Sequence, residues 1–379
     1  MPKAWNAKRI AHLDCPGGGQ VWVDGKTLYI GHMSAPYGTS IVDVSDPRAP
    51  RTIATIAIPE GWHSHKVRVA NGVMIVNHER LGQGGSADFG GGLGIYDVSR
   101  PAEPRPIAKW RTAGSGVHRY SFDGRYAYIS PTVDGYIGNI MMILDLADPA
   151  QPREVGRWWI PGQWQAGGEA YPWADGPSPR CHHPLRLGDR LYVSYWHHGF
   201  FILDIADMGH PKLVAHAETS RAFCHPTHTC LPFPEPLKGR RVLVVADEDV
   251  AKRRPAAPAF AWIDDITEET LPIPIGTFQV AGLDRDGAPQ PPMTGCHQPS
   301  ERLAGGTVIP FAWFAQGLRL IDIADPFQPK EVGFYQPDPP AGAQRASSND
   351  VTIDDRGLVF LVDRQSGVDI IETSVLKSA

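Results

Sequence analysis

One phrase recurs along the chain and constrains its fold more than any other feature. Each copy has a strand rich in β-branched residues, a loop, a second strand that ends in an acidic residue, and a Pro-containing turn, as in SIVDVSDPRAP from Ser40. The acidic residues recur at intervals of about 45 to 60 residues, the length of a four-stranded propeller blade. They are Asp43, Asp97, Asp145, Asp204, Asp265, Asp322 and Glu372.

Further short strands flank each copy of the phrase. One precedes it, as in VWVDGK from Val21, and another follows the Pro turn, as in KEVGFYQ from Lys330. Each unit therefore contains four strands, a to d, and about seven units fit in the chain. The last unit lacks strand d, and the N-terminal segment, about residues 8–14 (KRIAHLD), resembles a lone d strand. We therefore predict an all-β, seven-bladed β-propeller with four-stranded blades, in which the N-terminal strand closes the ring and removes the sheet edges.

Composition agrees with this fold and excludes several functions. Gly (40) and Pro (36) are abundant among 379 residues, as expected for many short strands and tight turns, and residues 1–379 are predicted to form a single domain. The net charge of -5 argues against a nucleic-acid partner. No apolar run reaches about 18 residues, so no membrane segment is expected. Because the N-terminus lacks the apolar stretch of a secretory signal, we expect a cytoplasmic protein. Its oligomeric state stays open, since a closed ring buries its own edges.

The acidic residues at the strand ends have a structural explanation. An Asp that precedes a Pro-containing turn can accept hydrogen bonds from the turn amides, while Pro restricts φ in the connection. We therefore expect them to shape the c–d turns rather than to take part in chemistry.

Histidines recur at one position of the predicted propeller. When strands a are aligned on their apolar-x-apolar core, the position two residues before the first apolar residue forms a column. Histidine accounts for only 15 of 379 residues, yet it fills five of the seven places. Because strand a lines the central channel, this column predicts a ring of imidazoles around the channel mouth. The column contains Gly19, His65, His118, His183, His228, His297 and Asn349.

Such a ring is typical of a transition-metal site. Neutral imidazole is the commonest metal-ligating side chain, and clustered histidines cannot all be protonated. We expect one transition-metal ion, with Fe or Cu favoured and Zn or Mn as alternatives, and an open position for dioxygen, water or substrate. A polar channel without metal and a purely structural ion are the alternatives. The predicted ligands are drawn from His65, His118, His183, His228 and His297.

Long insertions fall on the same face as the histidine column. They occupy the d–a or b–c positions at residues 78–92, 160–180, 281–296 and 336–348, and loops that carry function cluster in this way on rigid scaffolds. Aromatic and histidine side chains there suit a small apolar or aromatic substrate. The predicted substrate-lining residues are His63, His78, Trp164, Tyr171, Trp173, His197 and His198.

Polar side chains on this face supply candidate catalytic groups, namely Glu79, Arg119, Tyr120 and Asp249. A carboxylate such as Glu79 or Asp249 could move protons beside a metal ion. The leading hypothesis is a metal-dependent enzyme that oxidises or oxidatively cleaves a small organic molecule, aromatic or sulfur-containing. A metal-dependent lyase or hydrolase is the runner-up, and a non-catalytic propeller scaffold for protein binding is a third interpretation.

Two family resemblances add to these interpretations. The phrase I-x-D-[IV]-x-D-P-x-x-P, which recurs between Leu28 and Glu372, resembles the LVIVD-repeat family and implies a β-propeller. The segments LYVSYWHHGFFILDIADMGHPKLV and HPTHTC resemble the selenium-binding protein and methanethiol oxidase family. The second resemblance implies that channel histidines take part in metal-dependent thiol oxidation.

Overall fold

The computed structural model describes residues 3–82, 88–173, 176–218, 223–250, 258–281 and 293–376. Its strands form seven antiparallel sheets, arranged as the blades of a ring. Within these residues there is no α-helix, and a single 3-10 turn occurs at Gln165–Gly167. No helix in the described ranges is long and apolar enough to cross a membrane. The predicted all-β, seven-bladed propeller is confirmed.

The first four blades each follow the chain from the innermost strand a outward. Blade 1 contains Gly18–Asp24, Thr27–His32, Tyr37–Asp43 and Arg51–Ala57. Blade 2 has a divided strand a, and it contains Trp62–His63, Val67–Ala70, Val73–Arg80, Gly92–Asp97 and Arg105–Arg111. Blade 3 contains Val117–Phe122, Tyr126–Pro131, Met141–Asp145 and Arg153–Trp158. Blade 4 contains His183–Leu187, Arg190–Ser194, Phe200–Asp204 and Lys212–Ala217.

The remaining blades follow the same order, except that the N-terminus contributes to two of them. Blade 5 contains Thr227–Pro232, Val242–Asp247, Ala261–Asp265 and Ile273–Phe278. Blade 6 contains Gln298–Pro299, Val308–Ala312, Leu318–Asp322, Lys330–Gln336 and Lys3–Trp5. Blade 7 contains Ser348–Ile353, Val359–Asp363, Gly367–Thr373 and Ala7–Asp14.

The N-terminal strand closes the ring, as predicted. Ala7–Asp14 pairs antiparallel with Gly367–Thr373 and becomes the outer strand of blade 7. The His12 imidazole Nδ1 lies 2.8 Å from Asp369 Oδ1 across this pair of strands. A preceding strand, Lys3–Trp5, pairs with the outer strand of blade 6, and the sequence analysis did not predict it. The N-terminus therefore ties the last two blades together.

Apolar clusters lie between neighbouring blades and hold the innermost strands in place. In one of them Phe360 of blade 7 packs with Val23 and Val42 of blade 1, and all three side chains are fully buried. The first strands of adjacent blades contact one another around the central channel. Side chains at the start of each strand a are consequently held on a rigid frame.

The acidic residues at the strand ends shape the c–d turns, in agreement with the structural explanation. The Asp43 carboxylate accepts a hydrogen bond of 2.9 Å from the Ser45 amide. A hydrogen bond from the amide two residues ahead is likewise accepted by the carboxylates of Asp97, Asp145, Asp204, Asp265 and Asp322. Glu372 differs, since its carboxylate forms an ion pair of 2.9 Å with Arg48 of blade 1.

Candidate metal centre

In four of the seven blades a β-bulge lies at the column position at the start of strand a. In blade 5 the ladder pairs Thr227 with Asp247 and Thr229 with Ala246, so His228 is the extra residue of the bulge. The extra residue is Gly19 in blade 1 and Asn349 in blade 7. Blade 3 has the same irregularity at His118. A bulge re-aims a side chain that a regular strand would point into the sheet. The column is therefore a repeated backbone feature.

Six histidines form a continuous arc around one end of the channel, called here the histidine ring. Its members are His63, His65, His118, His182, His228 and His297. The centroids of successive imidazoles are separated by 3.6, 5.1, 4.9, 4.4 and 4.3 Å in that order. Four of the predicted ligands, together with the predicted lining residue His63, thus come together, and His182 joins them.

Blade 1 contributes no imidazole because there is no room for one. A Cβ atom at Gly19 would lie 2.6 Å from the His65 Cβ and 2.9 Å from the Met33 Sδ. Glycine at this place lets blade 2 supply two histidines, His63 and His65, to the ring.

Two carboxylates face the histidine ring from strands b. Glu79, at the end of strand b of blade 2, places its Oε2 2.7 Å from His118 Nδ1 and 4.0 Å from His63 Nε2. Glu248 directly follows strand b of blade 5, and its two oxygens lie 3.8 Å from His228 Nε2 and 3.7 Å from His297 Nε2. The side chains are only 15% and 11% exposed, so both charged groups are largely removed from water.

Backbone carbonyls determine the tautomers of three ring histidines. The Nδ1 atom of His63 lies 2.6 Å from the Met33 carbonyl oxygen, and that of His182 lies 2.8 Å from the His228 carbonyl oxygen. His297 Nδ1 bonds the Asn349 carbonyl oxygen in the same way. A carbonyl only accepts, so each Nδ1 carries the proton and each Nε2 keeps its lone pair. This arrangement orients metal-ligating histidines in proteins.

The close contact between the Nε2 atoms of His118 and His182 favours a cation bound between them. Their Nε2 atoms are 3.1 Å apart. His182 donates from Nδ1 to a carbonyl, and His118 Nδ1 is hydrogen-bonded to Glu79 Oε2, to which it donates when Glu79 is ionised. Two neutral imidazoles in these tautomers face each other with lone pairs and no proton between them. A metal ion bound by both nitrogens removes this repulsion.

Burial favours the ligating form of the imidazoles. It lowers the pKa of His63, and it lowers the pKa of the other five ring histidines well below the usual range. Neighbouring positive groups lower these pKa values further. The ring histidines are therefore neutral at pH 7.

The two carboxylates respond to burial in the opposite direction. Burial raises the pKa of Glu79, and the neighbouring His63 and Arg180 side chains act against that rise. Burial also raises the pKa of Glu248, where Arg364 and then Arg180 oppose it. A bound cation would favour the ionised form of both groups.

His183 lies one layer deeper in the channel than the sequence alignment predicted. Its Nε2 is 3.3 Å from Glu301 Oε1, and its Nδ1 is 3.2 Å from Thr229 Oγ1. Arg119, a predicted catalytic residue, is in the same deeper cluster, with Nη2 3.1 Å from Glu301 Oε1. Arg68 also pairs with Glu301. The structure thus brings these two predicted site residues together with Glu301, not with the histidine ring.

A shift of one residue in blade 4 explains the position of His183. The Arg119 amide donates to Ser130 Oγ and the His183 amide donates to Ser194 Oγ, both at 3.0 Å, so Arg119 and His183 are equivalent. His182 is consequently the counterpart of His118. Pro184 takes the place of the first apolar residue of strand a, and the alignment had used Leu185 instead.

Three other predicted site residues are packed away from the histidine ring. Tyr120 is fully buried in the apolar cluster of blades 2 and 3, and its hydroxyl donates to the Ile75 carbonyl oxygen at 2.6 Å. His78 precedes Glu79 on the same strand and therefore points to the opposite face, where it packs on Phe89 with centroids 4.5 Å apart. Asp249 Oδ2 accepts a hydrogen bond of 2.7 Å from the Gly295 amide.

The predicted substrate-lining aromatics form two groups outside the ring. Trp164 is 40% exposed and stacks on Tyr136 with centroids 6.3 Å apart. Trp173 contacts Tyr171 at 5.5 Å and His198 at 5.4 Å. His197 contacts Trp196 at 6.1 Å.

Two aromatic rings outside the predicted substrate-lining set contact the histidine ring directly, and of these Trp196 was expected near the channel mouth. The Trp196 centroid lies 5.0 Å from that of His182, and the Phe314 centroid lies 4.5 Å from that of His297. The Arg180 guanidinium stacks on Trp196 at 4.8 Å, and that of Arg364 on Phe314 at 5.3 Å. Each aromatic stands on a b–c connection, two residues after the end of strand b, and this position is the sequence signal that could have identified Phe314.

The residues of the ring fit a transition metal. Two sets of three side chains have ligand atoms that all lie within 4.8 Å of one another, namely His63, His65 and Glu79, and His182, His228 and Glu248. Imidazole with carboxylate suits Fe, Zn, Cu or Mn, and two histidines with one carboxylate is the ligand set of non-haem iron oxygenases.

Comparison with known proteins supports the architecture. The LVIVD repeat family matches residues 18–56, 121–159 and 187–219, which correspond to blades 1, 3 and 4. No curated protein matches the chain by sequence.

Solved structures with similar folds share little sequence with this chain. The periplasmic gluconolactonase of Pseudomonas aeruginosa is 13% identical, with a TM-score of 0.58 over 92% of this chain and 95% of that one. A hypothetical selenium-binding protein from Sulfolobus tokodaii is 12% identical, with a TM-score of 0.56 over 90% of each chain. The computationally designed Ika8 protein is 8% identical, with a TM-score of 0.52 over 96% of this chain and 98% of that one. At these identities the likeness concerns the fold alone. The chain therefore carries LVIVD repeats, and those repeats build blades of a seven-bladed β-propeller.

Proposed function

We propose that this protein is a metal-dependent enzyme that acts on a small organic molecule at the histidine ring. The observation that carries the proposal is the contact between His118 and His182, whose Nε2 atoms are 3.1 Å apart while their Nδ1 atoms are hydrogen-bonded to Glu79 Oε2 and to the His228 carbonyl oxygen. Two largely buried carboxyl groups lie beside the histidine ring, Glu79 at His118 and Glu248 at His228. A channel built only to be polar would not need facing lone pairs.

Oxidation by dioxygen is the chemistry that we favour. A bound Fe or Cu ion would supply a site for dioxygen and a route for electrons. The substrate would lose two electrons and two protons, and dioxygen would accept them to give hydrogen peroxide. The resemblance to the methanethiol oxidase family makes a small thiol the first substrate to test.

The surrounding side chains suit substrate binding and proton movement. Trp196 and Phe314 provide apolar walls against the histidine ring, and Arg180 and Arg364, stacked on them, offer positive charge to an anionic group. Glu79 is hydrogen-bonded to His118 at 2.7 Å and is placed to accept a proton from the substrate.

Hydrolysis is the second candidate, and the Glu79–His118 pair favours it. A carboxylate whose pKa is raised by burial can act as a general base toward water, while a metal ion polarises the substrate carbonyl. A gluconolactonase among the proteins of similar fold is consistent with this second candidate.

The first experiment measures the metal content of untagged protein purified without chelator. We expect near-stoichiometric transition metal in the natural chain, a strong loss in His118→Ala, and no loss in His78→Gln, which alters a buried histidine outside the ring. Oxygen uptake and peroxide formation with small thiols and phenols then test oxidation, and lactone hydrolysis tests the alternative. Folded protein that binds no transition metal on titration would overturn the proposal.

A further inference from the structure

We propose that the histidine ring binds two metal ions, at two sites linked by His118. The first site consists of His63, His65 and Glu79, and the second of His182, His228 and Glu248. The inference rests on the proposed function, because it concerns the same ring, but it differs from the single ion expected from the sequence.

The two sites use separate ligands in successive parts of the ring. Each set brings three ligand atoms within 4.8 Å of one another, and no residue belongs to both. Around an ion with bonds of about 2.0–2.2 Å, ligand atoms lie roughly 3 to 4.4 Å apart. The separations of 4.0 Å between His63 Nε2 and Glu79 Oε2 and of 3.8 Å between His228 Nε2 and Glu248 Oε2 fall in that range. Each set can therefore enclose an ion of its own.

His118 lies between the two sets and contacts one ligand residue of each. Its Nδ1 is 2.7 Å from Glu79 Oε2, a ligand atom of the first site. Its Nε2 is 3.1 Å from His182 Nε2, a separation typical of two neighbouring ligands of one ion. His118 can thus bind the second ion through Nε2 while it holds the first site's carboxylate through Nδ1. The two ions would then be coupled through one imidazole.

Charge supports two ions better than one. Glu79 and Glu248 are both largely buried, and across the described ranges the ion pairs found for them involve histidines alone. No lysine or arginine side chain forms an ion pair with either carboxylate in the described part of the chain. Buried carboxylates are stable only when paired or bound to metal. One cation at each carboxylate would add a positive charge in direct contact to the more distant Arg180 and Arg364 guanidinium groups.

Cobalt titration of the metal-free, full-length protein tests the inference. We expect two Co2+ per chain in the natural protein, seen both in the absorption spectrum and in the metal content after gel filtration. Glu79→Gln and Glu248→Gln are each expected to bind one, and their absorption spectra should differ because different sites remain. Asp247→Asn is the matched control, since Asp247 is buried next to Glu248 but its carboxylate bonds Trp262 Nε1 at 2.9 Å. This control should bind two.

A second measurement needs no variant. Protein loaded with Cu2+ should show magnetic coupling between two ions in its EPR spectrum. Saturation at one ion per chain, with an uncoupled signal and loss of that same ion in both Gln variants, would overturn the two-site inference and leave the proposed function standing. Failure of the folded natural protein to bind any Co2+ or Cu2+ would overturn both.

Discussion

Two adjacent histidines, His182 and His183, are predicted to respond differently to the same substitution. Both are almost completely buried, at 1% and 0% exposure, and they follow each other at the start of strand a of blade 4. We expect His182→Gln to weaken metal binding strongly and His183→Gln to leave the metal stoichiometry unchanged. The reason is that His182 lies in the histidine ring, whereas His183 contacts Glu301 and Thr229 one layer deeper.

The expected magnitudes follow from the partners that each side chain leaves behind. Without His183, Glu301 keeps its ion pairs with Arg68 and Arg119, so the loss of stability should be about 1–3 kcal/mol. Without His182, the His228 carbonyl can still accept from Ser194 Oγ at 2.7 Å, so the loss of stability is expected to be similar. Metal affinity should fall in His182→Gln by more than the roughly 10–100-fold that removal of an outer partner costs.

Isothermal titration of the metal-free variants with Zn2+, together with urea unfolding, separates these effects. Similar unfolding free energies with very different affinities would support the assignment. If His183→Gln lost the metal while His182→Gln retained it, the register deduced from the bulged strands would be refuted. Equal losses in both would show that the two layers act as one site.

Three further predictions concern stability. The hydrogen bond to Asp369 raises the pKa of His12, so this pair stabilises the fold fully below the unfolded-state pKa of about 6.5 and loses its effect as pH rises through the folded-state pKa. Because a third of the His12 side chain is exposed, His12→Gln should lower the free energy of unfolding by only about 0.5–1 kcal/mol at pH 5.5 and by less at pH 9. Urea unfolding at the two pH values measures this difference. Hydrogen bonds from Ser45 lower the pKa of Asp43 to about 2, so its contribution to the free energy of unfolding is present above about pH 4 and is lost toward pH 2. In Asp43→Asn the unfolding midpoint should therefore fall less steeply between pH 4 and pH 2 than in the natural chain. An unchanged slope would contradict this. Tyr120→Phe should cost about 1 kcal/mol and leave metal content unchanged, and a loss of metal would instead support a role at the site.

The repeat was sufficient to predict the architecture because its signals are local. Each c–d turn depends on an Asp that bonds an amide two residues ahead, and this geometry needs only neighbouring residues. Ring closure followed from an apolar-patterned N-terminal segment and a last blade without strand d. The extra strand Lys3–Trp5 carries no such pattern, because all three residues are exposed and the pairing is made by the backbone.

The candidate site was predictable only in part. Composition and alignment located the channel end and most of the imidazoles, since these depend on one column per blade. The acidic stretch from Asp247 to Asp249 was a candidate source of a carboxylate ligand, and Asp249 was selected from it. Nothing in the local sequence shows that Glu248 is the residue that faces His228 and His297. Tyr120 was selected as a polar residue of the face that carries the histidine column, yet the pleat turns it into the core.

By itself the sequence determined the number of blades, the turns between strands and the presence of a histidine-rich channel end. All three depend on short patterns of neighbouring residues that recur in each blade. Only the tertiary structure decided which histidines share a site. A bulge and one proline shift the register by a residue, and in a strand such a shift moves a side chain to a different face or layer. The structure thus placed His182 in the ring with His118 and put His183 with Glu301. It also brought Glu79 and Glu248, from blades 2 and 5, to different parts of the same histidine ring, because closing the ring joins strands that are far apart in the chain.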